Sequence, residues 1–246
     1  TEIYTLSLLD ALPISSWYGL SDLHLDYTKN KSMEIFGDGW DNYEEKIFKN
    51  WADIVNEDDL VLIPGDICWA MKIEDAYIDL LRIDKQKGRK ILLKGNHDYW
   101  WQSINKLNNL GLKTISFLQN NSYEWNGLKI CGARGWVDKT YPEFTEQDEK
   151  IFNRELIRFE ISIQSIDDLQ DKDSLIAMFH YPPFHKDGSG NEFAFMLEKY
   201  GIKTCIYGHL HGPGLSNAVE GEINGINYHC LSGDYLKFIP KLLFRR

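Results

Sequence analysis

The sequence has little of what several large function classes need. Only four cysteines occur in 246 residues, Cys68, Cys131, Cys205 and Cys230, and no two form a C-x-x-C pair. Three lie in apolar, strand-like runs and Cys68 directly follows another. They read as buried free thiols of a reducing compartment, not as a disulfide framework or a thiolate zinc site. No apolar run approaches the roughly 18 to 20 residues of a membrane span. Positive charge is also short, with 27 Lys and Arg against 37 Asp and Glu and a formal net charge of −10. That balance disfavours bulk binding to nucleic-acid backbones, which needs clustered Lys and Arg. It leaves room for one anionic ligand held at a metal site, where bound cations dominate the local field. Also missing are a phosphate-cradling P-loop, a dinucleotide glycine fingerprint and a nucleophile elbow. Their absence disfavours ATP-driven transfer, nicotinamide chemistry and serine hydrolysis. No basic segment precedes an apolar stretch near the N-terminus, so no secretory signal is read and the expected location is cytoplasmic.

What is present suffices for a packed core. Hydrophobic residues make up 43% of the chain and aromatics 13%, which excludes bulk disorder. At this length one domain is expected, over residues 14–246. Residues 1–13 look like translated adapter sequence and are expected to be a non-native or disordered extension.

One pattern dominates: a short apolar run that ends in a polar cluster. It occurs as SSWYGL before SDLHLD, LVLIP before GDICW, KILLK before GNHDYW, LKICG before ARGW, SLIAM before FHYPP and TCIY before GHLHG. Such runs predict buried strands that end in loops. A last strand, INYHCLS, leads into GDYL. Helices are predicted over 41–56, with an Asp able to cap the start and Ile47, Trp51 and Ile54 on one face. A second is predicted over 73–86. A third runs from about Glu143 to Leu169, with Phe152, Leu156, Phe159, Ile163 and Ile166 as its apolar stripe. Alternating strands and helices predict an α/β domain. The segment from about Trp136 to Leu169 is expected to form a cap or side wall of the substrate cleft.

Five of the seven histidines sit in the polar clusters after strands. In a layered α/β protein those strand ends converge on one rim, where ligands bind. Three carboxylates (Asp22, Asp66, Asp98), five imidazoles (His24, His97, His180, His209, His211) and the amide of Asn96 would thereby meet, nitrogens and oxygens suited to Mn, Fe or Zn. Seven ligand candidates among them are too many for one tetrahedral ion and suit two, about 3.5 to 4 Å apart. In an extended D-x-H or H-x-H segment, alternate side chains point the same way and reach one ion.

The blocks D-x-H, G-D, G-N-H-D, a lone H after a strand, and G-H-x-H stand in that order from residue 22 to residue 211. This order resembles the calcineurin-like metallophosphoesterase superfamily, and the surrounding text (GDICWAM, KGNHDYWW, GARGW, EKIFNRELIR, HYPPF, YGHLHG) resembles its bacterial predicted-phosphohydrolase branch. The resemblance implies a four-layer α-β-β-α sandwich of two mixed sheets with the metal site at one rim. It implies that Asp22, His24 and His211 bind a first divalent ion, that Asp66 bridges, and that Asn96, His180 and His209 bind a second. It makes His97 the catalytic imidazole near the leaving oxygen and Asp98 the carboxylate that orients it. The implied reaction is hydrolysis of a phosphomonoester or small phosphodiester of a small substrate, by in-line attack of a metal-bridging hydroxide. A protein serine/threonine phosphatase, a nuclease of the same superfamily and a non-catalytic metal-binding scaffold remain alternatives.

Other residues have plainer readings beside functional ones. Asp98 can also cap a helix starting at Tyr99. Arg134, between two glycines after a strand, can clamp a substrate phosphate or form a structural ion pair. Of Trp69, Tyr99, Trp100, Trp101 and Trp136, one or two are expected to line the pocket and the rest to pack beneath it. His185 and His229 are left outside the site.

Overall fold

The computed structural model describes residues 15–31, 33 and 36–245; the segment 1–13 lies outside them. The strands are β1 (Ser16–Gly19), β2 (Leu60–Pro64), β3 (Arg89–Leu93), β4 (Ile115–Leu118), β5 (Tyr123–Trp125), β6 (Leu128–Ala133), β7 (Leu175–Phe179), β8 (Thr204–Tyr207), β9 (Gly221–Ile223), β10 (Ile226–Cys230) and β11 (Lys241–Arg245). The helices are α1 (Tyr43–Ile54), α2 (Ile73–Asp84), α3 (Ile104–Asn108), α4 (Glu146–Gln164) and α5 (Glu192–Tyr200).

The strands form two mixed sheets, ordered β11-β1-β2-β3-β4 and β5-β6-β7-β8-β10-β9. Within the first, β1 to β4 run parallel and β11 is the antiparallel edge. In the second, β6, β7, β8 and β10 run parallel, with β5 and β9 antiparallel at the two edges. Eight parallel strands thus send their C-terminal ends, with the polar clusters that follow, toward one side of each sheet.

Period-two alternation divides the core into three. From β2, Leu60 and Leu62 point between the sheets and meet Leu128, Ile130, Ile176 and Met178. Their neighbours Val61 and Ile63 point outward against Ile47 and Trp51 of α1 and Ala76, Leu80 and Ile83 of α2. On the far side, Ala177 and Phe179 of β7 pack against Phe152, Phe159 and Ile163 of α4 and Phe193 and Leu197 of α5. The result is the expected four-layer α-β-β-α sandwich. No helix among the described residues is long and apolar enough to cross a membrane.

Some local expectations shift. Asn42, in the left-handed region at φ 49°, occupies the N-cap of α1 without a side-chain bond, so Asp41 does not cap it. A capping box starts α4 instead: the Thr145 hydroxyl accepts the Asp148 N–H, and Asp148 reaches back to the Thr145 N–H. That box places the helix start at Glu146, three residues after the expected Glu143, and the helix ends at Gln164, short of the expected Leu169. No helix begins at Tyr99; residues 99–100 form a turn and α3 starts at Ile104, so Asp98 caps nothing there. The helix α4 is part of the outer layer, its apolar stripe spent on β6 and β7.

Candidate metal centre

The loops after β1, β2, β3, β7 and β8 bring Asp22, His24, Asp66, Asn96, His180, His209 and His211 into one cluster. His24 Nε2 lies 3.3 Å from His211 Nε2, and His211 Nε2 lies 3.3 Å from Asp22 Oδ1. On the other side, Asn96 Oδ1 lies 2.6 Å from His180 Nε2 and 3.0 Å from His209 Nδ1. Asp66 stands between the two groups, with Oδ2 at 3.6 Å from His24 Nε2 and 3.5 Å from His180 Nε2. All but His209, His211 and Asn96 are buried.

Backbone geometry makes this convergence possible in a way that alternation along an extended strand does not. Asp22, His24, Asp66 and His209 all adopt the left-handed region, with φ of 58°, 43°, 52° and 74°. The D-x-H segment is therefore not extended, contrary to the alternation argument. Its shape is set across the rim by the Asp22 N–H on the Gly65 carbonyl and the His24 N–H on the Asp66 carbonyl, both at 3.0 Å. Leu23 between them is fully buried. Strained backbone of this kind costs about 1 to 3 kcal/mol per residue and concentrates at functional sites. Two glycines are demanded by close approach. A Cβ at Gly95 would lie 2.1 Å from Asp66 Oδ1, and one at Gly208 would lie 2.3 Å from Asp22 Oδ2.

The charges in the cluster work against one another. Burial would raise the Asp22 carboxyl, but His211, with His180 and His24, holds it below the usual carboxylate range. Asp66 moves the opposite way, pushed well above that range by burial and by the charge of Asp22. Burial would lower His211, yet Asp22 and Asp234 raise it to about 10. Burial and neighbouring imidazoles hold His24 and His209 well below the ordinary histidine value. His180 is lowered, first by burial. The His180 Nδ1 lies 2.9 Å from the Pro64 carbonyl, so a proton there leaves the Nε2 lone pair facing the cluster.

This donor set fits divalent metal. Two three-residue groups, Asp22-His24-His211 and Asp22-Asp66-His180, each offer ligand atoms within 4.8 Å of one another. Pairs of imidazole nitrogens face each other at 3.3 Å, at His24–His211 and at His180–His209. A neutral imidazole has one N–H, so a cation that accepts the lone pairs suits such facing nitrogens. The carboxylates supply negative charge beside them, and among the described residues no thiol is in either group.

His97 stands at the edge of the cluster. Its ring lies 4.5 Å from Trp69 and 5.7 Å from His24 between centroids, and it is partly exposed. Burial and the neighbouring His180 hold its pKa at about 4. No hydrogen bond among the described residues joins Asp98 to the His97 ring. The Asp98 carboxylate accepts the N–H groups of Gly95 at 2.7 Å, Ile67 at 2.9 Å and Cys68 at 3.4 Å, and the Trp100 indole N–H at 3.1 Å. These donors tie the loop after β3 to the loop after β2. Burial, then the charge of Asp66, raises its pKa to about 7.

Arg134 lies beside the site rather than in it. Its carbonyl accepts the His180 and Tyr181 N–H groups at 3.1 and 3.0 Å. Its guanidinium lies 3.6 Å from Glu155 and stacks 4.3 Å from the Trp136 ring. Among the aromatics, Trp100 and Trp101 are buried, whereas Trp69 stacks flat on His24 at 4.8 Å and Tyr99 is 56% exposed. His185 pairs with Asp138 at 3.0 Å, away from the cluster.

One residue escaped the sequence reading. Asp234 Oδ1 lies 3.0 Å from His211 Nδ1, and its Oδ2 accepts the Gly212 N–H at 3.0 Å. The signal was there: Asp234 follows the last predicted strand in a Gly-Asp pair, as Asp66 follows β2.

A family model described as calcineurin-like phosphoesterase matches residues 18–213, and the chain belongs to that family. No curated protein matches the chain. The phosphopantetheinyl hydrolase of Mycobacterium tuberculosis superposes with TM-score 0.59 at 11% identity, over 94% of this chain and 96% of that one. The protein TT1561 of Thermus thermophilus gives 0.52 at 15% identity, over 80% and 82%. A protein of unknown function from Aquifex aeolicus gives 0.48 at 17% identity, over 93% and 95%. The first two share the fold of this chain.

Proposed function

We propose that this member of the calcineurin-like phosphoesterase family is a metal-dependent hydrolase of small phosphomonoesters or phosphodiesters. The observation that carries the reading is the place of Asp66, whose Oδ2 lies 3.6 Å from His24 Nε2 and 3.5 Å from His180 Nε2, between two clusters of nitrogen and oxygen donors. Asp22, His24 and His211 would hold one divalent ion, Asn96, His180 and His209 a second, with Asp66 shared. When bound, manganese, iron or zinc ions supply Lewis-acid polarisation of phosphoryl oxygens and acidify the attacking water.

The chain's own residues do the rest. Asp234 holds His211 in one ring orientation, and the Pro64 carbonyl does the same for His180. Asn96 contributes a neutral oxygen, which keeps the site positive enough for a phosphate. His97 makes no hydrogen bond through its ring among the described residues and is open to the rim, so it can offer an N–H to the leaving oxygen. Help of that kind contributes about 10² to 10⁴ in rate. The attack is in line at phosphorus, with no nucleophilic side chain required. The net charge of −10 favours a small substrate over a long nucleic acid.

The test compares a chromogenic phosphate monoester with its diester, using full-length protein stripped by chelator and reloaded with Mn²⁺. Metal-dependent turnover of either ester supports the reading and tells which class the cleft admits. No turnover of any phosphoester by folded protein carrying two metals would sink it in favour of a binding scaffold.

A further inference from the structure

Beside the metal centre lies a cavity of about 380 Å³ whose walls carry Lys94, Arg134, Arg154 and Arg158, with Glu155 as the acidic residue among them. It is unusual in this acidic chain: four cations surround one carboxylate, an excess of three positive charges. Two of its lining residues adjoin the metal centre along the chain or through the backbone. Lys94 ends the run that continues into Gly95 and Asn96, and the Arg134 carbonyl holds the backbone of His180.

The cluster is not explained by ion pairing. Glu155 is 1% exposed and lies 2.7 Å from Arg158, 3.6 Å from Arg134 and 3.8 Å from Arg154. Only the Arg158 contact is a hydrogen bond. The buried Nε of Arg134 has no hydrogen-bond partner, and the whole side chain is 13% exposed. Lys94 is partly buried. Arg154 and Arg158 are 52% and 38% exposed, so the unspent buried donor is that of Arg134, and leaving it unpaired is costly unless an anion completes the arrangement. Planar guanidinium groups match phosphate oxygens in pairs.

We infer that this cavity is an anion site that takes a second phosphate group of the substrate, so that the preferred substrate is a phosphoester carrying two phosphates. The substrate part rests on the phosphoesterase reading; the anion site does not. One phosphate sits at the metal centre and is hydrolysed, while the other sits against Arg134, Lys94, Arg154 and Arg158 and fixes the distance between them. The donors of the metal centre take no part in this second contact.

Two measurements test it. The first is calorimetric titration of inorganic pyrophosphate into the metal-free full-length chain, for wild type, Arg154→Gln/Arg158→Gln and Arg154→Gln alone. The single variant keeps the Glu155–Arg158 bond and guards against misfolding. Wild type should bind, the single variant more weakly, and the double variant about tenfold or more weaker, as expected for losing charge-assisted contacts. Absent binding by wild type, or equal binding by all three, overturns the anion site. The second uses the metal-loaded enzyme and α,ω-alkanediol bisphosphates of increasing chain length against alkyl monophosphates. At one length kcat/KM should exceed that of the monophosphate by about tenfold, through KM, and the double variant should lose most of that ratio. A ratio near one at every length, or one kept by the double variant, overturns the substrate assignment. If wild type hydrolyses no ester, the phosphoesterase reading falls and the calorimetry still decides the anion site.

Discussion

Asp234 grips His211 from behind: Oδ1 lies 3.0 Å from the ring Nδ1 while Oδ2 accepts the Gly212 N–H at 3.0 Å. The bidentate hold fixes the ring so that Nε2 faces Asp22 and His24. It also couples the loop after β10 to the loop after β8. Such outer contacts are worth about 10- to 100-fold in metal affinity. Asp234→Asn is therefore expected to weaken metal retention by that factor, read by competition with a chromophoric chelator. Unchanged affinity would show that His211 needs no such hold.

His97→Ala should lower kcat by about 10² to 10⁴. Both metals should remain, measured by elemental analysis of the purified variant, because the ring is not within either ligand group. Full activity in the variant would remove His97 from the chemistry.

Asp98 behaves as a clamp between two loops, so its removal should act on stability. Asp98→Ala leaves the buried N–H groups of Gly95 and Ile67 and the Trp100 indole without their acceptor. A loss on the order of 3 kcal/mol in urea unfolding is expected, since each stranded donor costs about 1 to 3 kcal/mol before relaxation. A loss below about 1 kcal/mol together with a large fall in kcat would favour an orienting role at His97 instead.

Lys90 is a buried ammonium on β3, 1% exposed, and it donates to the Gln86 carbonyl and to the Thr114 hydroxyl, the latter at 3.0 Å. Burial lowers its pKa from 10.5 to about 8. Between those values the unfolded chain binds more protons than the folded one, so this group's effect on stability becomes more favourable as pH rises. The stability of wild type relative to Lys90→Met should grow by about 1 to 3 kcal/mol from pH 8 to pH 10.5. Parallel unfolding curves across that range would show that the charge is not buried as the fold implies.

Much of this molecule was legible in residue order. The runs that became β2, β3, β6, β7 and β8 stood out because strands buried on both faces are short and apolar, and each ended at a polar cluster. The apolar stripe of α4 was legible because the positions from Phe152 to Ile163 repeat at helical spacing. The edge strands β5, β9 and β11 were not. Their residues are half-exposed or, in β9, fully exposed, so pairing with a neighbour, not composition, makes them strands. The helix α5 was missed for want of a long stripe, and Asn191 starts it by accepting the Phe193 N–H.

For the site, residue order supplied the kinds of donor and the strand ends that carry them. These are properties of neighbours along the chain, and periodicity and motif spacing express them. Tertiary contacts alone decided where each donor points. The left-handed turn at Asp22 and His24 is imposed by carbonyls more than 40 residues away. The partners of Asp98, the hold of Asp234 on His211 and the basic cavity beside Arg134 likewise depend on loops that meet only when the two sheets pack. A hydrogen bond depends on distance and angle between groups whose separation in sequence carries no signal, so those choices appear only once the layers are assembled.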